Sequence, residues 1–178
     1  MSRSVKVAFC GIMTGGSIAV LFLTGVIPFG RMALAGLAGL LLIAVVTEIG
    51  TPWAWSVYVA VSLLAVFVVA YKHAVVAYIL VLGCYPILKA VIEKRTKGWY
   101  SLVLKLVYFN AAALLDFWVA VTLLSVPRSS YRIFGMNLPW LLLLIASAGF
   151  LVYDYALSLI AIGYYEKIHP IVRRVFHN

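Results

Sequence analysis

The chain carries five acidic side chains in 178 residues, and two of them stand inside long apolar runs. Asp116 lies in ALLDFWVAV and Asp154 in LVYDYALSL. A carboxylate surrounded by hydrocarbon is costly, so it must pair, hydrogen-bond, hold a proton or face a ligand. Lys105, in KLVYFN, is the basic residue placed the same way. It shares a helical face with Asp116, but eleven residues of helix separate the two by roughly 16 Å. Lys105 and Asp154 are closer in depth, which predicts a structural Lys105–Asp154 pair between neighbouring helices. The other reading has Lys105 stretching its stem so that the ammonium reaches the interface. Asp116 has no evident partner at its own depth. It reads as a structural acid satisfied by protonation, by Asn110 or by a neighbouring tyrosine, or else as a contact to a ligand or coupling ion.

A second group lies in GCYPILKAVIEKR, residues 83–95. Pro86 should kink a helix there. At 100° per residue Tyr78, Tyr85 and Lys89 share one side, with Glu93 a turn beyond Lys89. The basic run Lys94-Arg95-Thr96-Lys97 reads as a contact to lipid headgroups or, alternatively, to a partner. On the last apolar segment Ser147, Asp154 and Ser158 share a face with Ala161, an interior seam.

The first apolar segment contains FCGIMTGGSIAV. Ser4, Ala8, Gly11, Gly15 and Ala19 fall within an arc of about 80°, a small-xxx-small strip that admits a close helix. That neighbour is either a helix of the same chain or a separate membrane subunit. Gly16 lies off the strip and suits an internal contact.

These residues need a membrane scaffold. Hydrophobic residues make up 66% of the chain and charged residues 11%, against about a quarter charged in soluble domains. The apolar runs do not alternate, which excludes a β-barrel. Six helical segments are predicted, at 5–25, 31–48, 52–70, 74–93, 99–125 and 138–164. Residues 1–164 then form one six-helix transmembrane domain, followed by a basic tail at 165–178. Thr51 and Pro52 read as the cap and first-turn proline of the third helix. Segments three and four must form a hairpin, because a continuous helix over 52–93 would be about twice as long as hydrocarbon is thick. Trp53, Trp55, Trp99 and Trp140 lie near segment ends, where indoles anchor.

With the N-terminus inside, ten of the 14 basic residues fall on the cytoplasmic side; Arg31, Lys72, Arg128 and Arg132 fall outside. Both termini are therefore expected in the cytoplasm of a multi-pass plasma-membrane protein, bacterial by its character. The net charge of +9 is accounted for by topology and anionic lipid, without nucleic acid. Cys10 and Cys84 fit no metal or redox spacing, and His73, His169 and His177 lie at loops or in the tail. No GxSxG, HExxH, paired-acid or nucleotide-binding motif occurs, so no enzyme, metal or cofactor is expected. Uphill transport would need a coupled ion or another subunit.

In length, helix number and first-helix strip the chain resembles the substrate-binding S components of energy-coupling factor transporters. Ala8, Gly11, Gly15 and Ala19 match the spacing of the strip that those proteins press on their membrane coupling subunit, with glycines replacing an alanine. The resemblance implies uptake of a small solute such as a vitamin, driven by that subunit and its ATPases. It also implies an outward pocket lined by helices four to six and lidded by Val26–Gly30. Asp116, Asn110, Tyr78, Arg31 and Arg128 are the ligand-binding candidates in that frame, with arginines at the mouth attracting an anionic solute. The run Tyr85-Pro86-Ile87-Leu88-Lys89 through Glu93 is also similar to one in uncharacterised Firmicute membrane proteins. The rival readings are a scaffold subunit of a membrane or envelope-biogenesis complex, and an autonomous ion-coupled carrier, which the lack of an inverted repeat disfavours.

Overall fold

A computed structural model describes residues 2–96, 98–123 and 139–168. Six helices among them are long and apolar enough to cross a membrane, at Arg3–Val26, Arg31–Glu48, Thr51–Val68, Lys72–Arg95, Trp99–Thr122 and Leu143–Glu166. No strand occurs among the described residues. Helix α1 (Arg3–Val26) is capped by Ser2, whose hydroxyl accepts from the Val5 amide at 3.4 Å. Gly30, at φ +70°, turns the chain into α2 (Arg31–Glu48). The cap of α3 (Thr51–Val68) is Gly50 at φ +104°, and not Thr51, which already lies inside the helix beside Pro52. Short turns at 27–30, 49–50 and 69–71 join the first four spans.

The fourth span is discontinuous. Helix α4 (Lys72–Ala77) runs into a π turn at Tyr78–Leu82, and α5 (Tyr85–Arg95) resumes after Gly83 and Cys84. The Gly83 amide donates to Tyr78 O at 2.7 Å, five residues back, which leaves the Ile79 carbonyl outside the usual ladder. Pro86 has no N–H for the Leu82 carbonyl. The expected proline kink is thus a whole interrupted turn. Helix α6 (Trp99–Thr122) forms the fifth span, and α7 (Pro139–Gly163) extends into a π turn at Tyr164–Ile168.

Two apolar clusters hold the bundle. One gathers Phe9, Leu21, Leu42, Val45, Val57, Val61 and Tyr78, joining α1, α2 and α3 to the start of the fourth span. The other gathers Ile43, Val81, Tyr85, Phe109, Phe150 and Leu157, joining α2 and the fourth span to α6 and α7. Phe109 and Phe150 stack at 4.3 Å, with Tyr85 edge-on to Phe150 at 4.7 Å. The fourth span is the most buried of the six.

Helix α1 buries Phe9, Ser17, Leu21 and Thr24. Ala8, Gly11, Gly15 and Ala19 are all exposed on another side, and a methyl group added at Gly11 or Gly15 would meet nothing within 4 Å. The strip therefore does not pack inside the described bundle. Gly16 does: a methyl there would lie 3.4 Å from Leu41.

Candidate functional site

The interrupted fourth span presents backbone carbonyls in the middle of the bundle, and tyrosines on three other helices cover them. Tyr58 on α3 donates to Ile79 O at 2.7 Å, and Tyr108 on α6 donates to Leu80 O at 2.7 Å. Tyr153 on α7 reaches Leu82 O, the carbonyl orphaned by Pro86, at 3.4 Å and Gly36 O at 3.5 Å. Burying a carbonyl without a partner is costly, so each hydroxyl removes a penalty that the break creates. Cys84 Sγ lies 2.6 Å from the Tyr108 hydroxyl, a neutral contact with no metal or disulfide partner.

A cavity of about 420 Å³ opens beside this break. Trp55 and Tyr58 wall it on one side, Tyr108 and Ala112 on the other, and Ile79, Leu80, Cys84 and Leu88 form its floor. The lining is aromatic and aliphatic. Tyr58 and Tyr108 spend their protons on floor carbonyls, and the Tyr108 oxygen also meets the Cys84 thiol, so almost no polar surface faces the cavity. The rim residues Trp55 and Leu115 are exposed, at the surface where lipid would lie. The cavity is thus suited to a mainly apolar molecule.

Toward the end of the bundle that carries the N-terminus lies a second polar centre. Lys105 Nζ is 3.2 Å from Asp154 Oδ2, the spacing of an ion pair, and 2.6 Å from Glu93 Oε1. Lys89 joins them: its ammonium pairs with Asp154 Oδ1, lies 3.2 Å from Glu93 and donates to Ser158 Oγ at 2.8 Å. Tyr85 donates to Asp154 Oδ1 at 2.5 Å. Two ammoniums and two carboxylates therefore cancel across α5, α6 and α7. Lys89 and Lys105 are both more than nine-tenths buried, a position that is costly for an ammonium group without such partners. Position by position, the expected shared side of Tyr78, Tyr85 and Lys89 is overturned. The π turn rotates the helix beyond it, so Tyr85 and Lys89 face Asp154 while Tyr78 stacks on Tyr58 with ring centres 6.2 Å apart.

The ligand candidates do not converge. Asp116 has a partner at its own depth after all: His73 Nε2 lies 3.3 Å from Asp116 Oδ2, and His73 stands in the first turn of α4 and not in a loop. The Arg31 guanidinium sits over the Tyr71 ring at 4.1 Å, beside His73. Asn110 donates to Leu106 O at 2.8 Å and accepts from Ser147 Oγ at 3.3 Å, so it does not hold Asp116. Tyr78 is fully buried against Gly83. None of Asp116, Asn110, Tyr78 and Arg31 lines the cavity beside the break, nor does any of residues 26–30. The cavity involves α3 and the fourth and fifth spans, and not helices four to six. Arg128, Arg132 and the tail beyond 168 lie outside the described residues. Among the described residues no three His, Cys, Asp or Glu side chains are placed to share a metal ion.

The chain matches no protein-family profile, no curated protein and no solved structure. Sequence reasoning missed the carbonyl-tyrosine centre. The run Gly83-Cys84-Tyr85-Pro86, expected only to kink a helix, was its trace in the sequence.

Proposed function

We propose that this chain is a multi-pass membrane protein, with both termini in the cytoplasm, that binds a small aromatic or apolar solute in the cavity beside its broken fourth span. The reading is carried by the cavity itself: an aromatic-walled, almost wholly apolar recess beside a backbone break. It keeps the role that the S-component resemblance implies, a solute-binding subunit of vitamin-size scope in a bacterial plasma membrane, energised by a separate coupling subunit and its ATPases. It changes the entry, since the recess opens sideways toward lipid and the solute class is correspondingly apolar.

Native mass spectrometry of the gently purified protein tests this. A retained small molecule is expected, and Ala111→Phe, which fills the recess from an exposed lining position, should remove it without lowering thermal stability. Retention by the filled variant, or no small molecule under any gentle condition, overturns the reading. Tyr108→Phe should also cost about 1–3 kcal/mol of stability by stranding the Leu80 carbonyl, read from unfolding in detergent.

A second reading, a scaffold subunit of a membrane assembly, is favoured by the outward strip on α1. Both readings dock another membrane protein there. Gly15→Leu is expected to leave folding unchanged, because nothing lies within 4 Å of the added carbon, while abolishing co-purification of a partner. A partner retained by Gly15→Leu would remove the strip from either reading. A stoichiometric partner without any small molecule selects the scaffold.

A further inference from the structure

At the end of the bundle away from the N-terminus, a histidine and an aspartate join the fourth and fifth spans. His73 stands in the first turn of α4 and Asp116 on α6, with Nε2 3.3 Å from Oδ2 and both side chains 19% exposed. The other carboxylate oxygen, Asp116 Oδ1, is buried and has no hydrogen-bond partner. A half-satisfied carboxylate in such a place is costly. Among the described residues no lysine or arginine pairs with it.

The ionisable neighbours are engaged elsewhere. Arg31, from α2, lies over the Tyr71 ring at 4.1 Å, and that ring meets His73 edge-on at 6.1 Å. The Lys72 ammonium turns to the end of α3, where it takes Val66 O at 2.7 Å and Val69 O at 2.9 Å. Tyr58 and Tyr108, the next ionisable groups inward on α3 and α6, are held on Ile79 O and Leu80 O. Arg3, Lys6 and Cys10 of α1 and Glu48 of α2 belong to the opposite ends of those helices. What can compensate Asp116 is therefore a proton. With a neutral imidazole the pair carries one negative charge. One more proton brings it to zero, as imidazolium with carboxylate or as imidazole with carboxylic acid, and two groups this close titrate together.

We propose that His73 and Asp116 together form a proton-binding site, and that the bound proton clamps the short helix α4 to α6. The proton comes from water at that end of the bundle, which the partial exposure of both side chains admits. Histidine is the side chain whose ordinary titration falls between about pH 5 and 8. The folded protein holds this proton more tightly than the unfolded chain does, because only folding brings the buried carboxylate to the imidazole. The stabilisation is therefore present at low pH and is lost as pH rises. Helix α4 is six residues long and the π turn parts it from α5, so this clamp is distinct from the Lys89–Asp154 contact further along the span. The site does not rest on the solute reading.

The test uses the full chain in a neutral detergent, carrying His169→Gln and His177→Gln so that His73 is its one histidine. The melting temperature should fall by roughly 2–4 °C between about pH 5.5 and pH 8. Asp116→Asn removes the charge that calls for the proton and should flatten this dependence, as should His73→Gln. His73→Lys supplies a cation that keeps its charge across the range, and should hold the melting temperature at its low-pH level throughout. Imidazole carbon NMR shifts read protonation without unfolding the protein, and should show His73 holding its proton less tightly once Asp116→Asn is introduced. A melting temperature that does not change with pH, a dependence that survives these substitutions, or a His73 titration unmoved by Asp116→Asn overturns the proposal.

Discussion

Asp154→Leu is expected to destabilise the bundle by about 3–5 kcal/mol, measured by unfolding in detergent, the largest loss for any single charge. Asp154 receives Tyr85, Lys89 and Lys105, and both lysines are more than nine-tenths buried. Removing it leaves two ammoniums sharing Glu93, a net positive charge in a setting of low dielectric. Glu93→Gln should cost far less, because the Glu93 side chain is 46% exposed and water can replace part of what it supplies. The pairing also predicts a sign. Lys105→Met made in the Asp154→Leu background should restore stability, although Lys105→Met alone destabilises. A loss below about 1 kcal/mol for Asp154→Leu, or strict additivity of the two changes, would show that the cluster does not hold α5, α6 and α7 together.

Gly39→Ala is the second large effect. A methyl group at Gly39 would lie 2.3 Å from Leu82 O and 3.3 Å from the Tyr153 hydroxyl. The obstacle is backbone, so α2 must move away from the fourth span, at a cost of about 1–3 kcal/mol or more. The same substitution at Gly11 or Gly15 meets nothing within 4 Å and should stabilise α1 by up to about 1 kcal/mol through helix propensity. Measuring Gly39→Ala and Gly15→Ala side by side in detergent gives opposite signs if the close approach is as described. Equal effects would contradict it.

Much of the fold was legible because membrane-length apolar runs announce themselves. The observed helices begin and end within a few residues of the predicted segments, the last included, at Pro139–Gly163 against 138–164. Depth along a helix also transfers, which is why Lys105 and Asp154 could be matched from their positions alone. Direction around a helix transfers only while the period stays at 3.6 residues. The π turn at Tyr78–Leu82 breaks that period, so a regular helical count puts Tyr78 on the side that belongs to Tyr85 and Lys89. Neighbour identity was not legible either. Asp116 meets His73 because the fourth and fifth spans adjoin, and no spacing within either helix encodes that. The strip on α1 was visible as a strip, but its outward direction is set by the side on which Phe9, Leu21 and Thr24 are buried.

The broken span has a mechanical meaning. A continuous helix satisfies its own carbonyls and can slide or turn as a rod while its neighbours stay put. Here the carbonyls of Ile79, Leu80 and Leu82 are completed by Tyr58, Tyr108 and Tyr153, each on a different helix. Residues 79–82 therefore act as a keystone: α3, α6 and α7 cannot shift at that level without each surrendering a bond to the same short segment. A shift of any one of the three at that level costs its own bond, while the Lys89, Lys105 and Asp154 cluster ties α5, α6 and α7 nearer the end that carries the N-terminus.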